Sequence, residues 1–150
     1  MMRYIIAGGT ILTPFKSIEN SYIVIENGKI SALCSGDVPE ADEVINAAGY
    51  YVSPGVIDMH THGGGGHDFM DGTAESIIGA SKPHMQYGTT SIVPTTLTST
   101  DEELFTAFDC YKKAKRKMKN GPNLLGLHFR RTLLFTGSSW RTRSSLHKKS

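Results

Sequence analysis

Apolar residues follow two different rhythms along this chain, one before residue 54 and another after it. Segments 3–13 and 21–26 are rich in Ile, Val and Tyr and read as strands. Between the second of these and Lys29-Ile30-Ser31-Ala32-Leu33 stands Asn27-Gly28, the pair a tight hairpin prefers because both residues accept positive φ. A polar stretch over 34–43 follows. Further β structure then runs through Val44 and Tyr50-Tyr51-Val52 to Pro54-Gly55. Beyond that point short apolar runs alternate with helical patterns. Val56-Ile57-Asp58 has the look of a buried parallel strand. Residues 73–87 read as helical through Ile77, Ile78 and Met85, with an interruption at Pro83 and Gly88 as C-cap. Residues 89–96, centred on Ser91-Ile92-Val93, form a second strand. Ser99/Glu102 and Thr100/Glu103 both fit a capping box. The helix they open carries Leu104, Phe105, Phe108 and Tyr111 on one face, turns basic over 112–119 and stops at Asn120-Gly121-Pro122. Residues 124–128 make a third buried strand.

The order β, α, β, α, β is the opening of a parallel barrel. The predicted fold class is α/β: a small N-terminal β unit (β-sandwich-like) over 1–53, then the first strands of an incomplete (β/α)8 TIM-type barrel over 54–128, then a basic tail over 129–150.

Composition changes this picture at the tail. All 14 acidic residues lie in 1–128 against ten basic ones, a formal balance of −4. The last 22 residues hold six basic side chains and the single tryptophan, Trp140, with no acid. Cys34 and Cys110 stand far apart without CxxC spacing, which argues against a zinc knuckle or a disulfide framework and for free thiols. No apolar run approaches the ~18 residues that span a bilayer, and the first residues lead into a strand-like stretch unlike a signal peptide. The expectation is a cytoplasmic protein without membrane partners.

The candidate chemistry lies in Asp58-Met59-His60-Thr61-His62. Side chains at i and i+2 of a strand share a face, so His60 and His62 project together from the strand's C-terminal end, where barrel active sites lie. Neutral imidazole is a good ligand for zinc or iron, and two on one strand give a preorganised half-site. The glycine run over 63–66 suggests room for a ligand. His67 in that loop is either a substrate contact or a solvated side chain, and His84 reads as a surface or core residue.

Taken together, the stretch from Pro54 to Gly63, the Gly64-Gly65-Gly66-His67-Asp68-Phe69-Met70-Asp71 loop, the 88–96 segment Gly-Thr-Thr-Ser-Ile-Val-Pro-Thr-Thr and the 121–128 segment Gly-Pro-Asn-Leu-Leu-Gly-Leu-His resemble N-acetylglucosamine-6-phosphate deacetylases of the amidohydrolase superfamily over residues 3–128. The resemblance implies metal-dependent hydrolysis of the acetamide of N-acetylglucosamine 6-phosphate, giving glucosamine 6-phosphate and acetate. It further implies one or two divalent ions (Zn or Fe) with His60 and His62 as ligands, Gly63 and His67 as possible substrate or loop contacts, an amino-sugar phosphate as small-molecule partner, and a homodimer.

The likeness breaks after His128. Where the family continues into a Glu-Gly-Pro motif that supplies a metal ligand, this chain reads Phe129-Arg130-Arg131. An arginine pair there repels a cation by several kcal/mol at short range. With permissible codons, deleting one T after the His128 codon converts the tail into a frame opening L-E-G-P-Y-F, as the resemblance leads one to expect. The tail is therefore expected to be a disordered frameshift product. Since a full barrel needs ~250 residues, the chain is expected to be a truncated, inactive fragment, with the catalytic residues beyond Ser150 and divalent metal not properly bound. Two other readings stand beside this one: another amidohydrolase, such as a dihydroorotase or deaminase, or a non-enzymatic module whose basic tail grips nucleic acid. The motifs favour the first reading, with no nucleic acid partner expected.

Overall fold

A computed structural model describes residues 2–130, and within it the chain divides after Gly55 into two compact units. The tail beyond Arg130, on which the expectations of disorder and of a nucleic-acid grip through Trp140 fall, lies outside the described residues.

The first unit is built of β strands: β1 (Arg3–Ala7), β2 (Thr10–Leu12), β3 (Ser17–Ile18), β4 (Ser21–Glu26), β5 (Lys29–Ser35), β6 (Glu43–Asn46) and β7 (Tyr51–Val52). One sheet has the order β5-β4-β1-β6, in which β1 pairs antiparallel with β4 and parallel with β6. A second sheet has the order β3-β2-β7. The expected single strand over 3–13 is thus two, serving different sheets. Gly8 explains the break, since its φ of +83° takes the chain out of the extended region between them. Asn27 and Gly28 turn the β4–β5 hairpin with φ of 53° and 73°, as their sequence predicts. Ile5, Ala7, Tyr22 and Val24 form the buried cluster of this unit, with Ala32, Cys34 and Ala41 packed on it. Burial raises the pKa of the Tyr22 hydroxyl, reinforced by the neighbouring Cys34.

The second unit holds a parallel sheet in the order β12-β11-β8, formed by β8 (Val56–Thr61), β11 (Thr89–Pro94) and β12 (Asn123–Leu124). A short hairpin, β9 (Gly63–Gly64) with β10 (His67–Asp68), follows β8 where a plain glycine loop was expected. Helix α1 (Ala74–Ser81) joins β8 to β11, and α2 (Asp101–Lys117) joins β11 to β12. Pro83 ends α1 as expected and opens a 3-10 helix, Lys82–Tyr87, which Gly88 closes. At the start of α2 the Thr100 hydroxyl accepts from the Glu103 N–H, and the Glu103 carboxylate accepts from the Thr100 N–H. Two otherwise orphaned backbone donors are satisfied in this way. Lys115, Arg116 and Lys117 sit at the negative end of the helix dipole.

Phe69, Ala74, Ile77, Ala80, Ile92, Cys110, Ala114 and Leu124 make the core of this unit. On α2 the buried positions are Leu104, Ala107, Cys110 and Ala114, while Phe105, expected on the inner face, is 66% exposed. Small residues on the inner face let the helix lie close to its neighbours, so the large rings stand beside the contact. The Tyr111 hydroxyl donates to the Leu124 carbonyl at 3.0 Å, tying α2 to β12, and burial raises its pKa.

Two further expectations are corrected. Val56 and Ile57, read as buried, are 55% and 56% exposed. Among the described residues β8 has one lateral neighbour, β11, and stands at the edge of its sheet. The third strand is shorter than 124–128: it pairs at Asn123–Leu124 and resumes only as a bridge between His128 and Thr95.

Candidate functional site

Alternation along β8 sets Asp58 and His60 on one face, with His62 one step past the strand end. The ring centroids of His60 and His62 lie 5.2 Å apart at an interplanar angle of 82°. A third imidazole joins them: His128, from the end of the β12 segment, lies 4.8 Å from His60 at 84°. His60 is therefore the middle ring of a row of three. Reading the sequence had missed His128, although it closes the predicted 124–128 strand much as the His60 pair closes β8, and that position is the signal that could have found it.

The backbone fixes two of these rings. His62 Nδ1 lies 3.2 Å from the Thr95 carbonyl, and His128 Nδ1 lies 3.2 Å from the Met59 carbonyl. A carbonyl only accepts, so in both rings Nδ1 carries the proton and the Nε2 lone pair is left free. That is the tautomer a metal-ligating histidine adopts when its other nitrogen is held by a backbone oxygen. Thr95 is fully buried. Its hydroxyl accepts from the Thr61 N–H at 3.2 Å, and its own N–H donates to the Thr61 carbonyl at 2.8 Å, so the ends of β8 and β11 are locked together beneath the rings.

Asp58 and His84 hold the other flank. The Asp58 carboxylate accepts from the His60 N–H at 3.1 Å. His84, expected to be a surface or core residue, donates from Nε2 to the Gly63 carbonyl at 3.2 Å and places Nδ1 3.8 Å from the Asp58 carboxylate. Nothing in the sequence around Pro83-His84 signals this.

The glycine run does not leave room for a ligand as expected. A Cβ on Gly63 would collide with the His67 carbonyl, one on Gly64 would stand 2.8 Å from both the Ala80 carbonyl and His84 Nε2, and one on Gly65 would stand 2.7 Å from Pro83. Glycine is needed there because α1 and the 3-10 helix press on the loop; open space is found only at Gly66. His67 is exposed and its ring covers Gly79 of α1, where a Cβ would meet it at 2.5 Å. The structure thus brings His60, His62 and His128 together and turns His67 toward α1.

The donor set fits a divalent ion only as part of a site. Free Nε2 atoms on rigid supports are suitable ligands for zinc or iron, but the rings meet edge to face. Among the described residues no group of three or more His, Cys, Asp or Glu side chains is arranged to hold a metal ion. Phe129 and Arg130 continue the chain beyond His128, the Phe129 ring against Phe108 at 5.4 Å and the Arg130 N–H donating to Thr96 at 3.2 Å. Two surface depressions, about 240 Å³ by Tyr22 and Gly36 and about 410 Å³ by Met118 and Pro122, are lined by none of the histidines. No helix among the described residues is long and apolar enough to cross a membrane.

No family profile matches the chain. Individual proteins do. It is 34% identical over 124 residues to an N-acetylglucosamine-6-phosphate deacetylase of Bacillus subtilis, covering 79% of this chain and 31% of that protein. It is 33% identical over 128 residues to a dihydroorotase of Geobacter metallireducens, covering 82% of this chain and 28% of that one. The crystal structure of the deacetylase from Pasteurella multocida superposes with a TM-score of 0.75 at 31% identity, over 85% of this chain and 34% of its own. The chain spans about a third of the length of the curated relatives it matches.

Proposed function

We propose that this relative of N-acetylglucosamine-6-phosphate deacetylases carries the first ligand strand of a metal-dependent amidohydrolase whose substrate is N-acetylglucosamine 6-phosphate. The observation that carries the reading is the pair His60 and His62 at the C-terminal end of β8, with the His62 tautomer set by the Thr95 carbonyl. The parallel β8-α1-β11-α2-β12 order supports reading this unit as the start of an eight-stranded barrel, and in such barrels the reacting groups stand at the strands' C-terminal ends. His60 and His62 would hold the ion, His62 through its free Nε2. A divalent ion bound there would supply Lewis acidity toward the acetamide carbonyl.

This chain's own contribution is rigidity: Thr61 and Thr95 lock the strand ends, and Asp58 fixes the backbone at His60. Among the described residues it supplies no complete ligand set. The switch to Phe129-Arg130 after His128, in place of a carboxylate-bearing motif, is read as a shift of the coding frame at that point.

Acetate release from N-acetylglucosamine 6-phosphate with added zinc tests this, run on the chain as it stands and on the product of a gene with one base removed after the His128 codon. The expected result is no release from the first and metal-dependent release from the second. A frame-corrected product that ignores the sugar phosphate and hydrolyses dihydroorotate would favour the second reading, a dihydroorotase-type enzyme, which the Geobacter relative supports. Coding DNA with no such frame downstream would sink the frame-shift account.

A further inference from the structure

We propose that His84 is a positioning residue that clamps the strand end carrying His60 and His62; this rests on the metal-site reading given above. His84 lies in the 3-10 helix, twenty-odd residues along the chain, yet it touches the segment on both sides of the imidazole pair. On one side its Nε2 donates to the Gly63 carbonyl at 3.2 Å. On the other its Nδ1 stands 3.8 Å from Asp58, whose second carboxylate oxygen receives the His60 N–H at 3.1 Å. Residues 58 and 63 bracket both candidate ligands, so one side chain fixes where the segment leaves β8 and where it turns into β9.

The approach is built into the backbone around it. A Cβ on Gly64 would stand 2.8 Å from His84 Nε2, and the ring of Pro83 fills the place a side chain on Gly65 would take. Proline fixes its own φ and so the direction in which the next residue leaves the helix start. His84 and Asp58 retain only 23% and 26% side-chain exposure, so the contact is partly shielded from solvent. Residues hydrogen-bonded directly to a ligating side chain typically change metal affinity ten- to a hundredfold when removed; His84 acts one step further out, through the backbone, so its effect is smaller.

The test uses the full 150-residue chain and the variants His84→Ala, His84→Phe and His84→Gln, with Lys112→Ala on the exposed face of α2 as control. Zinc affinity is read by competition with a chromophoric chelator, and hydrogen exchange of the backbone amides of residues 60–63 is read without zinc. The expected result is a severalfold loss of zinc affinity, less than the roughly tenfold of a direct ligand partner, and faster exchange at 60–63 in the Ala and Phe variants, with exchange in α2 and the melting midpoint unmoved. Gln, whose amide still donates to the Gly63 carbonyl, restores most of both. Phe keeps the ring's volume, so it decides the matter should the Ala variant not fold. Parental exchange at 60–63 in the Phe variant overturns the clamp. Zinc binding that ignores His60 and His62 in the parent overturns the metal-site reading instead, and the exchange data then still decide the role of His84.

Discussion

His62 donates a hydrogen bond from Nδ1 to the carbonyl of Thr95 on the neighbouring strand, so the ring that begins the candidate site is oriented by a residue 33 positions later. The contact makes the free Nε2 of His62 a consequence of how β8 pairs with β11. His67, outside such a pairing, makes no such contact to a carbonyl among the described residues.

From this follows the dependence of metal binding on two side chains. Replacing His60 or His62 by Ala is expected to lower zinc affinity of the chain more than tenfold, by comparison with the ten- to hundredfold effect of residues merely supporting ligands. Chelator competition measures it. Undiminished affinity in both variants would remove the half-site.

The capping box at Thr100 predicts a local stability loss. Thr100→Ala strips the acceptor from the Glu103 N–H and should cost about 1 kcal/mol in urea unfolding. Ser99, whose hydroxyl also contacts the Glu103 carboxylate, does not substitute for it, because it leaves the Glu103 N–H unserved. A Thr100→Ala midpoint equal to that of the parent contradicts this.

Burial in the second unit predicts a contrast between two large apolar residues. Ile92 is wholly buried in the core and Phe105 is 66% exposed. Ile92→Ala should cost roughly 2–5 kcal/mol, enough to unfold a marginal unit, whereas Phe105→Ala should stay within about 0.5 kcal/mol. Equal effects would mean that α2 buries its aromatic face after all.

A pH effect with a defined sign is expected at the α1–α2 contact. Lys117 lies 2.9 Å from Glu75, and its hydrogen bond is the largest of the influences lowering the Glu75 pKa. A carboxyl whose pKa is lower folded than unfolded stabilises above its unfolded pKa, and that stability is lost as pH falls through the lower folded value. Glu75→Gln should therefore be slightly less stable than the parent at neutral pH and indistinguishable at strongly acid pH. Both groups are exposed, so the difference at neutral pH is small. A difference that persists in acid would assign the effect to packing.

How much of this was readable beforehand depended on whether the cause was local. Hairpin chemistry at Asn27-Gly28, the Thr100 cap and the stop at Pro83 are set by a few adjacent residues, and each stands where the sequence puts it. The side-by-side placement of His60 and His62 is local too, following from strand alternation. His84 acts on Gly63 across 21 positions, and no periodicity encodes that. The glycine run was legible as a demand for space but not for what fills the space: a ligand and a packed helix require the same missing Cβ. Phe105 misled because apolar spacing finds a helix face without saying which of its large or small members make the contact.

The bond from His128 to the Met59 carbonyl joins residues 69 positions apart, with the β9–β10 hairpin, α1, the 3-10 helix, β11, α2 and β12 between them. Contacts this distant are slow to form, because the loop they close must be ordered before they stabilise anything. The row of imidazoles is accordingly a late product of folding. A nascent chain displays His60 and His62 as soon as β8 emerges from the ribosome, but the third ring arrives only after β12 has docked on β11. Early in synthesis the strand presents two imidazoles, and only later is His128 beside them, so the order of the strands sets the order in which the three rings assemble.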